Sequence, residues 1–141
     1  MIIIDFGNSL KSVLSSLVYT DVDDSTVLIS TVNQWFDESI LKENLVKNLY
    51  FPSVNMKQFK KYNESYFKSF GIKPDEITIL AYDALGLIHY VWKKNKGINT
   101  INDFFINEKI KGKIGTFQFK EKKVSQLLKI YKTDNKKFKE Y

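Results

Sequence analysis

The chain opens on Met1-Ile2-Ile3-Ile4, a continuous apolar, β-branched run of the kind that forms a strand covered on both faces of a parallel sheet. Asp5-Phe6-Gly7-Asn8-Ser9 reads as a turn, with Asn8 or Ser9 placed to cap the helix behind it. Leu10, Val13, Leu14, Leu17 and Val18 then recur at i, i+3, i+4, i+7 and i+8, which predicts a helix with one apolar stripe ending near Tyr19. Asp21 to Ser25 is an acidic turn. Val27-Leu28-Ile29 gives a second buried strand that runs into Ser30-Thr31-Val32-Asn33-Gln34-Trp35. Strand, helix, strand is the signature of a parallel unit with a right-handed crossover.

Asp37-Glu38 can start a short helix through Leu41, its acids lying at the positive end of the helix dipole. Leu49-Tyr50-Phe51 is a short strand that Pro52 should stop. Phe59, Tyr62, Tyr66, Phe67 and Phe70 keep helical spacing up to a stop at Gly71. Pro74-Asp75-Glu76 opens the longest helix, which runs to about Lys94. Its Ile77, Leu80, Ala81, Ala84, Leu87, Ile88, Val91 and Trp92 make a wide apolar face, suited to packing against a sheet. Thr100 and Asp103 resemble a capping box, so Ile101 to Phe105 should be a brief helix. The glycine-marked loop Lys111 to Thr116 precedes a strand at Phe117-Gln118-Phe119. A turn at Glu121-Lys122-Lys123 leads to a last strand, Leu127 to Lys132, and Asp134 to Lys139 reads as a charged turn or fraying end. The expectation is an α/β fold, a Rossmann-like parallel sheet flanked by helices.

Composition narrows the function classes. At 141 residues and 43% hydrophobic the chain fits one domain with a real core. No apolar run approaches the roughly 20 residues that span a bilayer, and the opening lacks the basic region and cleavage site of a secretory signal. With no cysteine there is no thiolate nucleophile, disulfide or thiolate metal site. The net charge of +6 invites a nucleic-acid reading, but every basic residue is lysine, and the arginine that makes bidentate phosphate and guanine contacts is missing. Met1 to Leu41 hold one lysine, Lys11, against Asp5, Asp21, Asp23, Asp24, Asp37 and Glu38, so the excess lies further on. A solvated lysine-rich surface is the better reading, and no nucleic-acid partner is expected.

Catalytic chemistry is equally sparse. His89 is the one histidine and sits in the long helix, where it reads as a helix-face or partly buried residue. Asp83 could be an ionised partner deep in the fold, and reads better as a boundary carboxylate bonded to a neighbouring loop. Gly112-Lys113-Ile114-Gly115-Thr116 fails the spacing of a phosphate loop and reads as a close backbone approach. No catalytic residue, metal or cofactor is expected. What remains is geometric, because open parallel sheets bind ligands just beyond the carboxyl ends of their strands. Two such loops occur, and their amides, hydroxyls and rings suit a small polar solute, with a carboxylate for an ammonium group. Asp5, Phe6, Asn8, Asn33, Gln34 and Trp35 form the candidate ligand-binding set, with Asn8 and Ser9 also fit for capping.

The order of segments resembles the C-terminal portion of type I periplasmic substrate-binding proteins. It runs from Leu28 to Trp35, through Leu49-Tyr50-Phe51-Pro52, Phe59 to Gly71, Pro74 and Ala81-Tyr82-Asp83-Ala84, to Lys111-Gly112-Lys113-Ile114-Gly115-Thr116-Phe117-Gln118-Phe119. The leucine/isoleucine/valine-binding group is the nearest in layout, within it the branch of lipoprotein activators of penicillin-binding proteins. The resemblance implies the C-terminal part of a two-lobe fold that closes on a solute in an inter-lobe cleft. Residues 1–48 would be a second-lobe segment, 49–110 a crossover with first-lobe helices, and 111–141 a closing loop and strands. It implies a non-enzymatic solute-binding module for ABC-type transport or sensing, or a regulatory envelope protein that activates a penicillin-binding protein. The location it implies is the periplasm, with membrane contact only through a lipoprotein anchor or transporter of a longer parent. In amino-acid binders the loop matching Val32 to Gln34 carries a carboxylate for the ligand ammonium; here it offers Asn33 and Gln34.

Overall fold

A computed structural model describes residues 1–22, 25–42, 47–121 and 123–141; Asp23 and Asp24 of the expected acidic turn and Lys122 of the expected later turn lie outside the described residues. The chain divides into two compact units, Met1–Ser53 with Leu128–Tyr141, and Val54–Leu127.

The first unit is built on a five-stranded sheet. Strands β1 (Ile2–Ile3), β2 (Ile29–Thr31), β3 (Leu49–Ser53), β7 (Lys129–Asp134) and β8 (Lys137–Glu140) lie in the order β1-β2-β3-β7-β8. β1, β2 and β3 are parallel, with Ile2 beside Ser30 and Ser30 beside Tyr50; β3-β7 and β7-β8 are antiparallel. Helix α1 (Gly7–Tyr19) connects β1 to β2 and sets Leu10 and Leu14 into a core with Ile3, Ile29, Ile40 and Leu49. On the same face, Phe36 meets the rings of Phe51, Tyr131 and Phe138 edge to face, with centroids 6.0, 4.8 and 5.6 Å away.

The strand face opposite that core is open at its β1 end, while Ser30, Tyr50, Pro52 and Lys132 are half-buried. The register places Ile2 in line with Ser30, Tyr50 and Lys132, and Ile4, Leu28 and Ile130 share that side and are exposed. The Ile2 to Ile4 run therefore has the composition of a strand covered twice and the surroundings of one covered once.

Several local expectations change. The second strand begins at Ile29, and Leu28 is exposed. Glu38–Leu41 is a 3₁₀ turn, opened by the Asp37 carboxylate accepting from the Ser39 N–H at 2.9 Å. β3 continues through Pro52 to Ser53, since the fixed φ of proline suits extended backbone even though it gives up a donor. The expected last strand is displaced to Lys129–Asp134, and the supposed fraying end is a paired strand, β8. Asn135 and Lys136, with φ of 46° and 57°, form the tight turn between them, the left-handed pair that hairpin turns require. Alternation of Tyr131, Thr133 and Phe138 around Asn135 was the available signal. Thr133 is buried, its hydroxyl donating to the Lys47 carbonyl at 2.8 Å and accepting from the Leu49 N–H at 3.0 Å.

The second unit holds helices α2 (Met56–Phe70) and α3 (Glu76–Asn95) and an antiparallel sheet of β4 (Ile110–Lys111), β5 (Thr116–Lys120) and β6 (Lys123–Gln126). Asn55 caps α2 by accepting from the Gln58 N–H at 3.1 Å, and Gly71 closes it in the left-handed region. Of the α3 face expected to pack on a sheet, Val91 is buried, whereas Ile77, Leu80, Ile88 and Trp92 are exposed; Ile79, outside that expected face, is buried too. Ile79, Asp83, Leu87 and Val91 form a seam at four-residue spacing, and Ile77, Ala81, Ala84, Ile88 and Trp92 form a second stripe that faces water. At about 100° per residue the two stripes lie side by side, so the buried seam is one flank of a wider apolar arc whose other flank is exposed.

The Asp103 carboxylate accepts from the N–H groups of Thr100 and Asn99, which confirms the capping box over the 3₁₀ turn Ile101–Phe104. Asp83 has the role the sequence suggested: its Oδ1 accepts from the Lys113 N–H at 2.6 Å, while the Gly112 N–H closes the turn on the Gly115 carbonyl at 2.8 Å. A Cβ on Gly112 would overlap that carboxylate, lying 2.8 Å from its Cγ. Gly112→Ala is therefore expected to cost about 1–3 kcal/mol, read as a lowered denaturation midpoint. A midpoint unchanged from that of the parent chain would contradict the close approach.

Candidate functional site

Parallel strands β1, β2 and β3 all end on one side of the first unit, and their following residues are stitched together there. The Asp5 carbonyl, just past β1, accepts from the Thr31 hydroxyl at 2.9 Å and from the Gln34 Nε2 at 3.1 Å. Gln34 Nε2 also donates to the Val32 carbonyl at 3.0 Å, and the side chain is buried. Asn33 Oδ1 accepts from the Trp35 N–H at 3.0 Å and from the Ser53 hydroxyl, at the end of β3, at 2.9 Å. The two loops singled out from sequence thus meet, which they had to do for the set to act as one site.

Their side chains divide by role. Gln34 and Asn33 use amide atoms within the strand-end network, and Thr31 and Ser53 complete it; Ser53 has no sequence signal beyond ending β3. Phe6, at 70% exposure, and Asn8 face outward, and Trp35 is half-buried. Trp35 and Phe36 both sit at positive φ, 48° and 58°, two successive left-handed residues that turn the chain sharply beyond β2.

The cap of α1 differs from the expected one. Helix α1 starts at Gly7, whose φ of 60° strains any other residue, and Phe6 occupies the cap position with no side-chain cap bond. Ser9 instead donates its hydroxyl to Asp5 Oδ2 at 2.5 Å, and the Phe6 N–H donates to Asp5 Oδ1 at 2.8 Å. These bonds, the Ser9 hydroxyl first and the Phe6 amide second, hold the Asp5 carboxyl below the usual carboxylate range. The site therefore presents a fixed negative charge beside the N-terminus of α1, whose amides lack a side-chain cap. The contribution of a lowered carboxylate is present above its unfolded value and is lost as pH falls through the folded one. In an NMR titration the Phe6 amide is expected to shift at a pH below the ordinary aspartate range, and Ser9→Ala to move that midpoint upward. A midpoint indifferent to Ser9 would remove the hydroxyl as cause.

Other features lie elsewhere. A cavity of about 380 Å³ is lined by Asp134, Asn135, Lys137, Phe138 and Lys139, at the opposite end of the sheet from the strand-end loops. His89 is exposed on α3. Among the described residues no group of three histidine, cysteine or acidic side chains is arranged to hold a metal ion, and no helix is long and apolar enough to cross a membrane.

A sheet with a parallel half, a strand-to-helix loop at its carboxyl end and a second α/β unit define the class: the chain has the fold of type I periplasmic binding proteins, seen in part. Two solved structures show the likeness. One, from Rhodospirillum rubrum and assigned to branched-chain amino acid ABC transport, matches 91% of this chain and 40% of its own length at a TM-score of 0.72 and 12% identity. The other, the leucine-binding protein LivK of Thermotoga maritima, matches 99% of this chain and 43% of its own length at a TM-score of 0.65 and 15% identity. The chain thus spans about two-fifths of the length of those structures. No protein-family model and no curated protein matches its sequence.

Proposed function

We propose that this chain contributes to a non-enzymatic solute-binding module that takes a small polar solute at the carboxyl ends of β1 and β2. The observation that carries the reading is the junction of the two loops on the Asp5 carbonyl, because it joins the loop of Asp5, Phe6 and Asn8 to the loop that leads to Trp35. Asp5 offers a carboxylate to an ammonium, the α1 N-terminus offers amides to an anion, and the two rings offer apolar cover. A zwitterion such as an amino acid matches both charges, and both structural neighbours are named for amino-acid transport or binding. Asn33 and Gln34 act in this reading by holding the loops, with their remaining polar atoms available to the solute. Service to an ABC-type transporter or a sensor, in the periplasm, follows from the same likeness.

A second reading is favoured by one observation. The amides of Asn33 and Gln34 stand where amino-acid binders carry a carboxylate, and both make bonds inside the fold. A cleft with less to offer a ligand suits a regulatory envelope protein that docks a penicillin-binding protein. Calorimetric titration with L-leucine, L-isoleucine, L-valine and the other common amino acids separates the two. Saturable heat that Phe6→Ala and Asn8→Ala each weaken supports the solute reading; silence across the panel favours the regulatory one.

A further inference from the structure

Helix α2 turns two kinds of surface outward. At about 100° per residue Lys57, Lys60, Lys61 and Lys68 fall on one arc, on the far side of the helix from the buried Tyr62. Phe67 borders that arc, and Phe70 stands one turn further along. They are 54% and 65% exposed, and Ile72, just past the Gly71 stop, is 62% exposed. From Lys57 to Lys73 the sequence holds five lysines against one acid, Glu64. All of these charged side chains are exposed, and among the described residues none is held in an ion pair. Packing fixes the aromatic flank: the centroid of the Phe70 ring lies 4.5 Å from that of Tyr66, which lies 5.9 Å from that of the buried Tyr62.

We propose that this face of α2 docks on an anionic phospholipid surface, its lysines over the headgroup phosphates and Phe67, Phe70 and Ile72 at the boundary between headgroups and acyl chains. Charge complementarity names the occupant. Five cations with one acid among them repel one another, and a layer of negative charge relieves that repulsion. Further polypeptide is an unfit cover, because lysines are buried only against matching acids. Lysine in place of arginine also favours lipid: a charged bilayer attracts point charges without directional contacts, whereas phosphodiester and base recognition draws on the planar guanidinium fork. An acidic polypeptide satisfies the lysines and leaves the two rings in water.

Sedimentation of the full chain with vesicles tests this, comparing equal parts of phosphatidylglycerol and phosphatidylcholine with phosphatidylcholine alone. The expected result is binding to the anionic vesicles that weakens as salt rises, with little to the neutral ones. Replacing three cations together, Lys60→Gln, Lys61→Gln and Lys68→Gln, is expected to weaken it about a hundredfold, at roughly fivefold per lysine near such a surface. Phe67→Ser with Phe70→Ser should cost about tenfold. Every substituted residue is exposed, so the far-ultraviolet spectrum is expected to stay that of the parent. Lys136→Gln, Lys137→Gln and Lys139→Gln remove the same charge from the β7-β8 hairpin and should leave binding as in the parent. Equal binding to neutral vesicles, binding to neither, an equal loss in the hairpin variant, or tighter binding to single-stranded RNA or polyglutamate than to anionic vesicles would each overturn the proposal. The inference rests on α2 and not on the solute reading, so silent amino-acid titrations leave it intact and absent vesicle binding leaves the titrations intact.

Discussion

Phe36→Ala is expected to destabilise the first unit by about 3–5 kcal/mol, the range for emptying a buried aromatic site. Its ring is buried and contacts Phe51, Tyr131 and Phe138, so one side chain ties the loop beyond β2 to β3, β7 and β8. Domains of this size are stable by only about 5–15 kcal/mol in total, so the variant should lose most of its cooperative unfolding transition. The loss should reach the site too, since Trp35 is the preceding residue and its N–H bonds Asn33. Chemical denaturation followed by Trp35 emission checks this, in a Trp92→Phe background. A shift below about 1 kcal/mol would mean that the aromatic cluster does not set the loop.

The second large effect concerns the chain on its own. Purified as 141 residues, it is expected to bind a hydrophobic dye, self-associate and melt broadly, because two apolar surfaces are left to water. One is the Ile2, Ile4, Leu28 and Ile130 face of the sheet; the other is the outer stripe of α3, Ile77, Ala81, Ala84, Ile88 and Trp92. At roughly 25 cal/mol per Å² of apolar surface, each is worth several kcal/mol to whatever covers it. The double variant Ile2→Lys and Ile4→Lys is expected to raise solubility several-fold without changing the far-ultraviolet spectrum, since both side chains point away from the core formed by Ile3. A monomer with a sharp cooperative melt and no dye binding would contradict this account of both surfaces.

The sequence made some features legible and hid others for physical reasons. Periodicity located α1, α2 and α3 because each keeps at least one regular apolar stripe. It could not tell that α3 uses Ile79, Asp83, Leu87 and Val91 within its own unit while its other stripe stays bare, since both stripes read as apolar. Ile2 to Ile4 announced a strand covered on both faces, and the composition is right for the strand even though one face lies open. β8 was hidden because Lys137, Lys139 and Glu140 mask the alternation, although Asn135 marked the hairpin turn. At the site, the loops after β1 and β2 were legible from strand-end geometry. The bonds of Gln34 to Asp5 and of Asn33 to Ser53 were not, because they depend on which strand lies beside which. The misplaced α1 cap has a simpler cause: the helix starts at Gly7, so Ser9 lies inside its first turn and donates its hydroxyl back to the Asp5 carboxylate.

The most direct test of the strand-end site is an amide shift map of the chain, made in the soluble Ile2→Lys and Ile4→Lys double variant. Amino-acid probes are added stepwise. The account predicts saturable shifts concentrated on residues 5–9 and 33–36, lost in Asp5→Asn and Phe6→Ala. Shifts gathered instead around Asp134 to Lys139, or a map unmoved by every amino acid at millimolar concentration, would contradict it.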